Sequence, residues 1–173
     1  LVIGGGAIGL ELGSVWSRLG AQVTVIEFLD RIVPMMDRQM GLQLQKALQK
    51  QGMSFQLQTS ATGAVRTADG MKVTLESKGT KSEIEADAVL VAVGRRANSD
   101  GLGAREIVVA FDERHRIVVN ERFETSVAGV FAIGDVIAGV MLAHKAEEEG
   151  TAVAEMMAGH AGHVNYAAIP NVV

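Results

Sequence analysis

The chain has 173 residues, 48% of them apolar, with sixteen Lys and Arg against twenty Asp and Glu and no cysteine. That apolar content supports a packed core rather than disorder, and a net charge of −4 without a basic run argues against a phosphate-neutralising nucleic-acid surface. The zero cysteine count excludes disulfides, thiolate metal sites and cysteine nucleophiles within this chain, no metal site is expected, and the longest apolar run, Ala88 to Val93, is far below the roughly 18–20 residues needed to span a bilayer.

Residues 1–5 predict a strand and 7–20 a helix, with Ile8, Leu12, Val15, Trp16 and Leu19 inward at 3.6-residue spacing and Gly20 as the stop. Ala21 to Glu27 is a β-branched run that reads as a second strand, so strand, helix and strand follow one another as a parallel crossover. Asp37 caps a second helix running to about Lys50, with Met40, Leu44, Ala47 and Leu48 inward and Gly52 at its end. Met53–Gln58 alternates and reads as a third parallel strand. Ala64–Thr67, Met71–Ser77 and Ser82–Glu85 are short alternating segments separated by turn residues, an antiparallel three-stranded meander in place of a crossover helix. Ala86 to Val93 predicts an apolar strand buried on both faces of the parallel sheet.

After the polar, glycine-rich stretch Arg95–Gly103, strands are expected at Ile107–Phe111, Ile117–Val119 and Val130–Ile133. A last helix is expected over about Leu142–Ala158, with Ala146, Gly150, Val153, Ala154 and Met157 on one face. The opening Leu1-Val2-Ile3, without an initiator Met, and the apolar close at Ile169–Val173 read as strands cut from something larger.

Gly4-Gly5-Gly6-Ala7-Ile8-Gly9 satisfies G-x-G-x-x-G directly after a strand and at the opening of an amphipathic helix, which is the context that gives this short motif weight. Gly4 permits the tight turn, Gly6 the close approach of a pyrophosphate, and Gly9 the packing of helix on strand. The helix N-terminus then presents free N–H groups and a positive dipole end to the diphosphate. Glu27 ends the second strand 18 residues after Gly9, where the Rossmann pattern places an acid for the ribose hydroxyls, and so favours NAD(H) over NADP(H). Arg31 is the one nearby residue that argues otherwise. Glu11 reads equally well as part of the site or as simple dipole compensation.

The second constellation is Thr125-Ser126-Val127-Ala128-Gly129-Val130-Phe131-Ala132-Ile133-Gly134-Asp135. An apolar strand ending in Gly-Asp aims a carboxylate off its edge, a good acceptor for a polyol hydroxyl; Gly-Asp is equally an ordinary turn. This T-x4-V-F-A-I-G-D pattern resembles the second FAD-binding motif of the two-dinucleotide-domain flavoprotein reductases. Met141 to Gly150 (MLAHKAEEEG) is similar to the flavin-facing helix start of the dihydrolipoamide dehydrogenases, and Gly9 to Trp16, Val25 to Asp30 and Val93 to Arg96 look like the same family.

The resemblance implies an α/β chain. A Rossmann-like NAD-binding domain at 1–97 would combine a parallel sheet with the antiparallel meander. The returning segment of a related FAD-binding domain would follow at 98–164, and the start of an interface domain at 165–173. Gly4, Gly5, Gly6, Ala7, Ile8, Gly9 and Glu27 would hold NAD, with Ile8 and Glu11 toward the nicotinamide end and Ala61 and Gly94 lining the dinucleotide. Asp135 would bind the flavin ribityl chain, and Met141, Leu142, Ala143 and His144 would lie along the isoalloxazine ring. His144 and Lys145 also read simply as solvated. The chain departs from the family in having Ala97 where Pro is usual. It also lacks the family's redox cysteines, the first FAD-binding glycine motif and the catalytic His–Glu pair, so it carries no catalytic residue of its own. Thiol–disulfide exchange needs a sulfur nucleophile; this chain alone is expected to bind NADH weakly and to turn nothing over, with FAD bound only in the intact parent.

That parent would be an oxidoreductase passing electrons from dihydrolipoamide through FAD to NAD+. It would be a homodimer serving 2-oxoacid dehydrogenase complexes or glycine cleavage, in bacterial cytoplasm or the mitochondrial matrix. The alternatives are a related NADH-dependent flavoprotein reductase, of the mercuric reductase or NADH oxidase type, and a non-enzymatic nucleotide-binding module.

Overall fold

A computed structural model describes all residues, 1–173, and divides into two compact units, Leu1–Gly94 and Arg95–Val172. The sequence expectation placed this boundary after Ala97.

The first unit is α/β. Its elements are β1 (Val2–Ile3), α1 (Ala7–Arg18), β2 (Thr24–Ile26), α2 (Arg38–Lys50), β3 (Ser54–Gln56), β4 (Ser60–Arg66), β5 (Met71–Ser77), β6 (Thr80–Ala86) and β7 (Leu90–Val91). The parallel sheet runs β3-β2-β1-β7, and β4-β5-β6 forms the antiparallel meander. Val2 pairs with Val25 and with Leu90, so β1 is central. Val2, Val23, Val25 and Met53 close over Leu10, Ile32 and Leu48 from the helical side, and Ile26 packs with Val73 and Leu75 of the meander on the other. The meander register holds from Ser60 opposite Glu76 to Arg66 opposite Met71, with one irregularity between Ala61 and Gly63. At its second turn Lys78 and Gly79 both take positive φ, the backbone that joins antiparallel strands in two residues without splaying them.

Several expectations are corrected here. β1 is shorter than the predicted 1–5 because Gly4, at φ +110°, already turns the chain. In α1 the inward face is Gly9, Leu10, Gly13 and Ser14. Ile8, Leu12, Val15, Trp16 and Leu19 point to solvent instead, Leu19 being 72% exposed. The helix lies close on the sheet at Gly13, where a Cβ would stand 3.2 Å from Met53 and 3.4 Å from Val2, so no large side chain fits at that position and Leu10 alone of the apolar residues turns inward beside the small ones. In α2, Asp37 caps as expected, accepting from the Gln39 and Met40 amides. The inward line there is Gly41, Leu44 and Leu48, with Met40 and Ala47 exposed. β7 covers only Leu90–Val91 and is an edge strand, so Val91 and Val93 are exposed rather than buried on both faces.

The second unit has one long element, α3 (Ala143–Met157), with short 3-10 turns at Gly134–Val136 and Tyr166–Ala168. The three predicted strands reduce to isolated bridges, Phe111 with Ile117, Ile117 with Ile137 and Glu124 with Phe131. Each segment finds a partner for only one or two residues, too few for a ladder. Val109, Ile117, Phe123, Ala132, Ile137, Ala152, Val153 and Val164 nonetheless form one apolar core. The inward face of α3 is Lys145, Glu149, Ala152 and Val153, one position away from the predicted set; Ala154 and Met157 are exposed. No helix is long and apolar enough to cross a membrane.

Candidate functional sites

In the first unit the glycine turn is built from backbone contacts. Gly4 N–H donates to Ile26 O at 2.8 Å. A Cβ on Gly4 would run into Ala92 O, and one on Gly9 into Gly4 O, so both positions are closed to side chains. Gly6 differs: a Cβ there would enter open space. Gly6 is also the N-cap of α1, with no side chain capping the helix and no acid in its first turn. The amides of Ala7, Ile8 and Gly9 therefore have no intrahelical partners, and the positive end of the helix faces the same open side as Gly6.

Glu27 closes the turn from β2. Its Oε2 accepts from Gly5 N–H at 2.6 Å and its Oε1 from Leu29 N–H at 2.7 Å, in a residue 9% exposed. An ionised carboxylate offers about four acceptor positions, so two amides leave capacity for hydroxyl donors. Where the chain leaves β2, a cleft of about 510 Å³ opens, lined by Phe28, Leu29, Asp30, Gln58, Ser60 and Thr62 among others. Ala61 is not among its walls; it packs with the apolar group around Ile26 and Leu75. Ile8 and Glu11 are exposed on α1, and Gly94 is exposed at φ +117°. The two cations after β2 are both engaged, Arg31 with Pro34 O at 3.2 Å and Arg38 with Asp30 at 2.7 Å.

In the second unit Thr125 is 8% exposed and folds the turn before the Gly-Asp segment, its Oγ1 accepting from Val127 N–H at 3.1 Å. Gly134 takes φ +73°, a left-handed conformation that glycine adopts without steric cost, and it brings Asp135 onto a 3-10 turn at the surface. Asp135 is ion-paired with Arg95 at 3.1 Å, and the same guanidinium reaches Met141 O just before α3. Leu142 begins α3 without a side-chain cap, so Ala143 and its neighbours present unpaired amides. Met141 and Leu142 are partly buried there, Ala143 is exposed, and exposed His144 meets Pro170 O at 2.9 Å.

Two features of this unit escape sequence reasoning. The Arg95–Asp135 pair joins residues forty apart in the chain, with no periodicity to signal it. Lys145, for which a solvated position is one of the sequence readings, is 1% exposed and lies 2.9 Å from Glu149, itself fully buried. Glu149 also accepts from Gly134 N–H at 2.7 Å and from the Tyr166 hydroxyl at 2.8 Å. Burial and the adjacent Glu149 carboxylate raise the Tyr166 phenol well above its ordinary range, so it stays protonated as a donor. The i, i+4 spacing was visible, but a Lys and a Glu at that spacing read as a surface pair on almost any helix. No group of three or more His, Asp or Glu side chains gathers to hold a metal.

A parallel sheet opening on a glycine turn, with an acid just after β2, places the first unit in the Rossmann-like α/β class. The profile of the pyridine nucleotide-disulphide oxidoreductases matches residues 1–150, and the chain belongs to that family. It is 53% identical over its whole length to a mitochondrial dihydrolipoyl dehydrogenase of Pisum sativum, covering 35% of that protein, and 48% identical to the mitochondrial dihydrolipoyl dehydrogenase of Bos taurus. A leghemoglobin reductase of Vigna unguiculata is 54% identical, again over all of this chain and 34% of the relative. The chain thus spans about a third of the length of the curated relatives it matches. Among solved structures, the HOCl-induced flavoprotein disulfide reductase RclA of Escherichia coli superposes with a TM-score of 0.84 at 25% identity, covering 99% of this chain and 38% of that one. Reduced CoADR-RHD of Bacillus anthracis gives 0.84 at 26% identity, over 95% of this chain and 30% of that one.

Proposed function

We propose that residues of the first unit bind NAD(H), and that Asp135 and the start of α3 contribute to an FAD site, within a dihydrolipoyl dehydrogenase that oxidises dihydrolipoamide with NAD+. The observation that carries the nucleotide reading is the open space beside Gly6 at an uncapped helix N-terminus, fixed by Gly4, Gly9 and Glu27 on its other sides. These residues fit a dinucleotide. The amides at Gly6 to Gly9 would hold the diphosphate, Glu27 would take the ribose hydroxyls, and the cleft beyond Phe28 has the volume for the adenine end. Ile8, Glu11, Ala61 and Gly94 are assigned to the remainder of the same site by family likeness. Glu27 would set a carboxylate beside a 2′-phosphate, and Arg31 and Arg38 are turned to Pro34 O and Asp30, which favours NAD(H) over NADP(H), with Lys78 the one cation lining the cleft.

In the second unit Asp135 would accept from ribityl hydroxyls, and the uncapped start of α3, from Met141 to His144, would set a positive dipole end against the anionic edge of the flavin. When bound, the two cofactors supply the hydride chemistry that links a dithiol to NAD+. This chain supplies binding, orientation and charge; with no cysteine it supplies no nucleophile to a disulfide. The segments are assigned as a nucleotide-binding domain at 1–97, part of a flavin-binding domain at 98–164 and part of an interface domain at 165–173. The mitochondrial relatives favour the matrix as the compartment, and family likeness assigns a homodimer within a 2-oxoacid dehydrogenase assembly as the working form.

The test is calorimetric titration of the chain with NADH, NADPH and FAD in parallel, with a lipoamide reduction assay on the same sample. NADH binding at least about tenfold tighter than NADPH, with no lipoamide turnover, is expected. Equal affinity for the two nucleotides, or none for either, would overturn the nucleotide assignment.

A further inference from the structure

Lys145 and Glu149 are among the most enclosed side chains of the protein, at 1% and 0% exposure. Their position is unfavourable for the helix that carries them. Lys145 sits in the first turn of α3, where the dipole disfavours a cation, and a Lys four residues before a Glu is the weaker order for such a pair. Removing two charges from water carries a large desolvation cost before their attraction is counted. Helix stability therefore does not account for the pair.

The partners of the pair do. Lys145 Nζ donates to Gly134 O at 3.1 Å, while Glu149 Oε2 accepts from Gly134 N–H at 2.7 Å. One glycine is held by both of its peptide groups, from two successive turns of one helix. Gly139, at φ +122°, leaves the Lys145 stem room to lie flat, since a Cβ there would stand 3.2 Å from Lys145 Cε. Tyr166 completes the grip from the far side by donating to Glu149 Oε1. No buried side-chain polar atom is left unpartnered.

We propose that Lys145, Glu149 and Tyr166 are positioning residues: they clamp the Gly134–Asp135 turn to the start of α3, so that Asp135 and the α3 amides meet a flavin as one rigid set. This rests on the flavin reading above. A buried ion pair that only stabilises the fold is replaceable by apolar residues of similar volume. One that fixes the register of a turn is not.

That difference gives the experiment. The chain is compared with K145M, E149L, the double variant K145M/E149L and Y166F by thermal melting and by hydrogen–deuterium exchange of the peptide spanning residues 132–137, and the same substitutions are compared in the full-length enzyme by FAD titration. Each single charge variant leaves a buried ion unpaired and should melt well below the parent. The double variant should recover most of the melting temperature. Its 132–137 peptide should still exchange about ten- to a hundredfold faster, the range set by losing hydrogen bonds to charged groups, and FAD should bind about tenfold more weakly. Y166F should show the same changes in milder form. A double variant that recovers exchange protection and flavin affinity together with its melting temperature would overturn the proposal, leaving the pair a structural element only. If the full-length enzyme with unaltered sequence binds no FAD, the flavin reading fails by itself, and the exchange comparison still decides whether the clamp exists.

Discussion

Replacing Glu27 with Ala separates two roles that one carboxylate is asked to fill. Its two oxygens receive the Gly5 and Leu29 amides at 2.6 and 2.7 Å. A hydrogen bond to a charged acceptor contributes about 1.5–3 kcal/mol, and a buried N–H left alone costs about 1–3 kcal/mol. Gly5 and its bond to Glu27 are buried, so little water replaces what its amide loses. Leu29 is 40% exposed, and water replaces much of what its amide loses. The expected destabilisation is therefore about 2–4 kcal/mol, or about 10–20 °C in Tm for a unit of this size. Glu27→Gln keeps one acceptor but turns an NH2 toward an amide donor, and should fall between Ala and the parent.

Trp16 is the sole tryptophan and lies in α1, so its fluorescence during melting reports the first unit selectively. NADH titration at a temperature below every transition reports the ligand role. An E27A chain that melts like the parent while losing NADH would show that the carboxylate serves only the ligand, and the anchoring argument would be wrong. One that melts early yet keeps its NADH affinity would remove Glu27 from the binding site.

The other glycines of the turn should divide sharply: Gly9→Ala forces a Cβ into Gly4 O and should unfold the first unit, whereas Gly6→Ala should melt within about 1 kcal/mol of the parent and lose NADH affinity at least about tenfold in the same titration. Leu10→Ala, at a residue 2% exposed, should cost about 2–4 kcal/mol in urea unfolding, while Trp16→Ser, at 58% exposure, should stay within about 0.5 kcal/mol, read by circular dichroism since the fluorophore is gone. Tyr166 is the only tyrosine, so alkaline absorbance titration follows it directly. Its phenol is raised in the folded state, so the stability from its bond to Glu149 should be fully present below pH about 10 and fall as pH rises beyond that; Y166F should flatten this decline.

The order of elements was legible in the first unit because its signals are local. Gly4 and Gly9 announce a turn and a close helix, Asp37 announces a cap, and the Lys78-Gly79 turn announces a hairpin. Which face of α1 turns inward was not legible, because the hydrophobic periodicity of Ile8, Leu12, Val15 and Trp16 is genuine but competes with a second line through Gly9, Leu10 and Gly13. Sheet contact at close range selects the small residues, and only the helix-to-strand distance decides between the two. The edge position of β7 was likewise invisible, since an apolar run reads alike whether one neighbour or two lie beside it.

The two candidate sites differ in how much of them a sequence can carry, for a physical reason. The turn at Gly4 to Gly9 is held by backbone atoms, and a backbone that must come close to other backbone excludes every residue but glycine, so its geometry is written directly into residue types. The turn at Gly134–Asp135 is held by side chains reaching from α3 and by Arg95, and each of those side chains belongs to a type that lies on the surface in most helices and loops. Lys145 and Glu149 become informative only when their enclosure is known. A pattern of charged residues at i and i+4 therefore deserves a buried reading wherever the first of the pair falls in an uncapped first turn with the wrong sign for the dipole, because a cation placed there is held by something other than the helix.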